Sequence, residues 1–196
     1  MKIKKFLIFL FLLNISYSNS YSIEPDIFVQ STVNRASQAL SKNISKEEKM
    51  NELKSIAKET VDIKAVGFYS LGLARKELND IQKNKFSKLF ESYFLKSFAS
   101  RLAEYTNPEI DVTGKEILNK NYTIVNSVLV ATSERPEVKI NWRIYTKNPN
   151  NPLIRDLIIE GLSLARTQKE EFASILNSND NDINALFKAL EKFSNN

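Results

Sequence analysis

The sequence predicts an α+β fold: N-terminal helices, a four-stranded antiparallel sheet, and C-terminal helices packed on one face of that sheet. Three observations predict it. From Phe28 to Tyr105 apolar residues recur at steps of three and four, the period of a helix face. After Pro108 the apolar period falls to two, the signature of strands. The links between those period-two runs are short and polar, at 119–121, 134–136 and 147–152, which favours antiparallel neighbours.

The helices come first. Pro25 suits the first turn of a helix, and Phe28, Val29, Val33, Ala36 and Leu40 follow at helical spacing. Ser45 and Glu48 form a capping box ahead of Met50, Leu53, Ile56 and Ala57. Asp62 is placed to cap a short helix bearing Ile63, Val66, Phe68 and Leu71, closing near Gly72. Asn79 with Gln82 opens the main helix, predicted over 79–105 and stopped by Pro108. Its stripe is Phe86, Phe90, Tyr93, Phe94, Phe98, Leu102 and Tyr105, broadened by Leu89, Leu95 and Ala99. An aromatic stripe of this kind is ordinarily core.

The strands follow. Residues 109–118 read as a weak strand and 122–132 as a strong one. In the latter Ile124, Val128 and Val130 share one side, and Val125, Leu129 and Ala131 the other. Residues 138–145 alternate cleanly, with Val138, Ile140, Trp142 and Ile144 on the dry side. Residues 153–164 are apolar on both parities, as in a strand covered on both faces. A helix over 167–176 carries Phe172, and a last amphipathic segment carries Ile183, Leu186, Phe187, Leu190 and Phe193. No repeat or linker divides the chain, so residues 23–196 are expected to form one domain.

Residues 1–22 are expected to be an export signal. Lys2, Lys4 and Lys5 precede an apolar run over 6–13, and small residues then stand at cleavage spacing. That run is too short to span a bilayer as a helix. None of the 23 acidic residues and three of the 28 basic ones precede Glu24, so cleavage would leave a net charge of +2. Export and the absence of any basic-aromatic module argue against a nucleic-acid partner.

Composition also limits the chemistry. There is no cysteine and no histidine, which removes thiol chemistry, the commonest general base and the commonest nitrogen metal ligand. Gly161-Leu162-Ser163-Leu164-Ala165 nearly spells a nucleophile elbow, but no histidine exists to take the serine proton. The bland alternative is that small residues bend the strand and the Ser163 hydroxyl caps the turn. Asp156 and Glu160, four apart on a strand, would share a face roughly 13 Å from each other, too far for a paired-carboxylate hydrolase. Pairing of Asp156 with Arg143, Arg155 or Arg166 is the default. No catalytic residue, metal site or cofactor is assigned.

Several stretches together resemble the MlaC family, the toluene-tolerance auxiliary components of ABC transporters. They are Val61-Asp62-Ile63, Tyr69-Ser70-Leu71-Gly72, Gln82 with Phe86 and Phe90, Phe98-Ala99 with Leu102, and Trp142-Arg143-Ile144-Tyr145. The most specific stretch runs from Asp156 through Glu160-Gly161-Leu162-Ser163 to Phe172. The likeness spans about residues 25–190.

The resemblance implies a soluble periplasmic carrier, expected as a monomer, that holds a phospholipid by its acyl chains. It implies two partners: an inner-membrane ABC transporter with a lipid-binding hexameric ring, and an outer-membrane lipoprotein–porin complex. The aromatic slab then gains a second meaning, as one wall of a tail pocket facing the sheet. The helical wall expected is Phe68, Leu71, Phe86, Phe90, Tyr93, Phe94, Phe98, Leu102 and Phe172. The expected sheet wall is Val128, Val130, Ile140, Trp142, Ile144, Leu157 and Ile159. Arg101, Arg143, Arg166 and Lys169 are the candidates to steer a headgroup. The alternative readings are a non-lipid periplasmic adaptor with a filled core, and an accessory protein that binds another apolar ligand.

Overall fold

The computed structural model describes residues 22–105 and 108–195, so the expected export signal lies outside the described residues apart from Ser22. Among the described residues, six α-helices flank a five-stranded antiparallel sheet. Helices α1 (Pro25–Ser41), α2 (Lys46–Thr60), α3 (Ile63–Ser70) and α4 (Asp80–Leu102) come first. The sheet runs in sequence order through β1 (Ile110–Asn119), β2 (Tyr122–Leu129), β3 (Val138–Tyr145), β4 (Leu153–Ile159) and β5 (Leu162–Ser163). Helices α5 (Leu164–Asn177) and α6 (Ile183–Asn195) close the chain.

Local chemistry sets the helix boundaries. The Ser45 hydroxyl accepts from the Glu48 amide while the Glu48 carboxylate accepts from the Ser45 amide. Asn79 and Gln82 make the same reciprocal pair at α4. Asp62 Oδ1 accepts from the Ala65 amide at α3, and Gly72, at φ +58°, lets the chain turn beyond it. Each cap satisfies amides that a helix start leaves unpaired.

The sheet departs from expectation at its far edge. The last strand does not run from 153 to 164 but breaks at Glu160 and Gly161, whose φ angles are +48° and +83°. Two consecutive positive-φ residues form the tight hairpin that matches strand twist, and the returning strand β5 pairs Ile158 with Ser163 and Ile159 with Leu162. A glutamate in that conformation is disfavoured. Here its Oε1 accepts from the Lys139 amide at 2.5 Å, and its own amide donates to the Lys139 carbonyl. The fifth strand follows, and α5 starts at Leu164 rather than near Thr167. Asp156 and Glu160 consequently share no strand face.

That corner is the stretch on which the family resemblance was most specific, and its residues are structural. Ser163 caps α5, accepting from the Arg166 amide at 3.1 Å, and donates to Asp156 Oδ2 at 2.7 Å. Asp156, 6% exposed, also accepts from the Ala165 amide at 3.0 Å. A buried carboxylate thus sits at the positive end of α5, each of its oxygens accepting from a local donor.

The core falls into three clusters. One is helical, gathering Leu71, Phe86, Phe90, Phe172, Phe187 and their neighbours from α3 to α6. A second joins Val29 and Val33 of α1 to one face of the sheet. The third is small, with Leu40, Leu53 and Ala99 where α1, α2 and α4 meet.

Candidate functional site

Helix α4 lines up Phe86, Phe90, Phe94 and Phe98 at intervals of four, which places each ring over the next turn. The ring centroids stand 5.6, 6.1 and 5.6 Å apart, with interplanar angles of 28°, 28° and 9°. Phe172 of α5 meets Phe86 and Phe90 edge-on, at 86° and 88°. Gly67 of α3 admits the Phe90 ring, for a Cβ there would stand 2.6 Å from Phe90 Cδ1. The column is graded: Phe86 and Phe90 are 1% exposed, while Phe94 and Phe98 are half-buried.

The rest of the expected helical wall divides. Phe68, Leu71, Tyr93 and Phe94 belong with the helical cluster, whereas Leu102 packs in the small α1–α2–α4 cluster. The Tyr93 hydroxyl donates to Gln168 Oε1 at 2.9 Å. Burial raises the Tyr93 pKa, and the nearby Glu171 carboxylate adds to the shift.

On the sheet, register decides which residues share a face. Val125, Trp142 and Leu157 stand opposite one another across β2, β3 and β4, as do Ser127, Ile140 and Ile159. With Ile144 these make one face of the sheet, whose apolar cluster α1 joins through Val29 and Val33. Leu157 and Ile159 are only half-buried there. Val128 pairs with Lys139 and lies on the opposite face, and Val130, two residues on, has left the strand. The two valines therefore do not join Ile140, Trp142 and Ile144. Both parities of β2 are apolar, so periodicity could not tell which side α1 would take.

Of the four cations, Arg166 and Lys169 stand one turn apart on α5, while Arg101 lies on α4 and Arg143 on β3. Arg101 is exposed in the last turn of α4, and Arg166 is exposed at the start of α5. Lys169 lies over the Tyr69 ring at 5.6 Å. Arg143 sits on the face opposite Trp142, 3.8 Å from Asp156, with its Nε buried and unpartnered.

Two arrangements escaped sequence reasoning. Arg155 donates to Asp62 Oδ2 from Nε and a terminal nitrogen (2.9 and 2.8 Å), donates to the Tyr122 hydroxyl (2.7 Å), and stacks 3.5 Å from the Tyr145 ring centroid. Burial alone would lower its pKa, but Tyr122 and Asp62 more than offset this and raise it. Arg155 thereby ties the α3 cap to the sheet. Ser127 is the other: it lies buried on the dry face and accepts from Trp142 Nε1 at 2.8 Å. A polar residue between Val125 and Leu129 was the available signal.

Among the clefts on the described surface, one of about 430 Å³ is lined by Lys58, Asp62, Lys64, Glu91 and neighbours, and another of about 280 Å³ by Arg35, Lys42, Glu52 and neighbours. Neither is lined by an expected tail residue. Among the described residues no helix is long and apolar enough to cross a membrane.

No curated protein matches the chain. Among solved structures, it is similar to the phospholipid-binding protein from Ralstonia solanacearum in complex with a phospholipid, at 17% identity and a TM-score of 0.73. The match covers 88% of this chain and 97% of that one; at this identity the likeness speaks for the fold. The family model described as MlaC protein matches residues 29–192. On that match, nearly the whole length of the described domain, the chain belongs to the MlaC family.

Proposed function

We propose that the protein is a periplasmic phospholipid carrier that takes acyl chains between the α4 aromatic column and the face of the sheet whose apolar cluster α1 joins. The observation that carries this reading is the graded burial of apolar side chains at the margins of the core. Phe94 and Phe98 on α4, and Leu157 and Ile159 on β4, are left half-buried beside residues that are fully buried. The helical and sheet clusters remain distinct. Family membership and the phospholipid bound in the Ralstonia protein agree with it.

Magnitudes favour a carrier. At roughly 0.8 kcal/mol per buried CH₂, two tails of about fifteen carbons are worth on the order of 20 kcal/mol against water. Free lipid is therefore no usable intermediate, and transfer needs a sheltered site. Against a bilayer, equally apolar, net transfer lies near zero. Direction must then come from partners, and the reading assigns these as an inner-membrane transporter and an outer-membrane lipoprotein–porin complex. Proteins exported by the leader at 1–22 would meet both in the periplasm. The headgroup stays in water, steered by one or more of Arg101, Arg143, Arg166 and Lys169.

Native mass spectrometry of protein purified from a bacterial host tests the reading. One phospholipid per chain is expected. An adaptor with a filled core is the second reading, favoured by clefts that avoid the aromatic column; lipid-free protein that takes up none from vesicles would establish it instead.

A further inference from the structure

We infer that Ser127 positions the indole of Trp142, the chain's only tryptophan, so that it stays clear of the β4 half of the sheet face where the acyl chains lie; this rests on the carrier reading above. Val125 stands directly across β2–β3 from Trp142, and Leu157 directly across β3–β4. Toward the Ile140 end of the face the ring has two diagonal directions, Ser127 on β2 or Ile159 on β4, with Thr123 and Ile154 the diagonals at the Ile144 end. It takes the first: Nε1 donates to Ser127 Oγ at 2.8 Å, and that hydroxyl donates onward to the Ile140 carbonyl at 3.0 Å. The onward bond fixes the hydroxyl proton and leaves the oxygen free to accept the indole N–H.

The choice has consequences for both halves of the face. Ser127 is 2% exposed and Trp142 8%, so no solvent is at hand to replace the acceptor, and an indole without it carries an unsatisfied buried donor. Val29 and Val33 of α1 roof the same apolar cluster. An indole released from Ser127 has its open ground on the other side, over half-buried Leu157 and Ile159. There it competes with the tails.

The test uses the purified full domain and phosphatidylglycerol brominated at mid-chain, offered in vesicles. Tryptophan emission reports bromine beside Trp142, and organic extraction reports lipid retained per chain. The wild type should load lipid and lose at least half its emission. Ser127→Ala should retain about tenfold less, and Ser127→Thr, which keeps the hydroxyl, should match the wild type. In a Trp142→Phe background, which has no N–H to place, Ser127→Ala should change retention little. Ser127→Cys, a weak acceptor, should show a smaller loss and serves if the alanine variant does not fold. Normal retention in both Ser127→Ala and Ser127→Cys, an equal loss in the Trp142→Phe background, or full loading with unquenched emission would each overturn the inference and leave the carrier reading intact. A wild type that takes up no lipid overturns the carrier reading and this inference together.

Discussion

Phe90 and Phe98 carry the same ring on the same helix face two turns apart, yet they answer different questions. Phe90 is 1% exposed and held by Phe86, Phe94 and Phe172. Phe90→Asp would bury a charge there and unfold the domain. Phe98 is half-buried, so a carboxylate in its place can reach water. Phe98→Asp is expected to keep its circular dichroism and melting profile while losing at least tenfold in lipid retained after extraction; unchanged retention would remove Phe98 from the tail site. Gly67 supplies a stability counterpart. A methyl group 2.6 Å from Phe90 Cδ1 presses on a ring that its neighbours hold in place. Gly67→Ala should therefore cost about 1–3 kcal/mol, read as a fall in Tm of roughly 2–4 °C per kcal/mol. A Tm equal to the wild type's would mean that the ring yields.

Between elements, the tie of α1 to the edge strand makes a pH-dependent contribution. Lys115 of β1 reaches Glu24 and, at 2.8 Å, Asp26 at the start of α1. The hydrogen bond from Lys115 lowers the Asp26 pKa, and the bonds to Asp26 and Glu24 raise that of Lys115. Asp26's contribution is present above its unfolded pKa and lost as pH falls through the lowered folded value. That of Lys115 is present below its unfolded pKa and lost as pH rises through the raised one. Both groups are partly exposed, so the pair is worth at most about 1 kcal/mol. The Tm gap between wild type and Lys115→Met should be widest near neutral pH and close below about pH 3; a gap that persists in acid would assign the effect to packing. At this scale the boundaries of α2, α3 and α4 were legible, because capping residues act within four positions of the chain. The β4–β5 hairpin was not. Glu160-Gly161 lacks the asparagine or aspartate that usually marks such a turn, and what offsets its backbone cost is the Lys139 amide, twenty-one positions away.

For the whole molecule, a ligand that binds only the folded chain must stabilise it. Loaded protein should melt higher than delipidated protein, with a gain of about 2.7 kcal/mol when lipid stands at a hundred times its Kd. Calorimetry on both forms measures this, and coincident melting curves would count against a carrier. The order of elements, the fold class and the family could be read from the chain because periodicity, caps and a distinctive run such as Asp156 to Ser163 are local in sequence. Which parity of β2 faces α1, how far burial runs along the α4 column, and which cations end up together could not. The side chains of Val125 and Val128 look alike on paper, and only the register with β3 and the placing of α1 separate them. Sequence alone determined that helices rich in aromatics accompany a meander of strands, since hydrophobic period and capping are properties of neighbouring residues. Tertiary structure alone decided where that apolar surface is fully covered and where it is left half open, since burial depends on what long-range packing brings to each side chain.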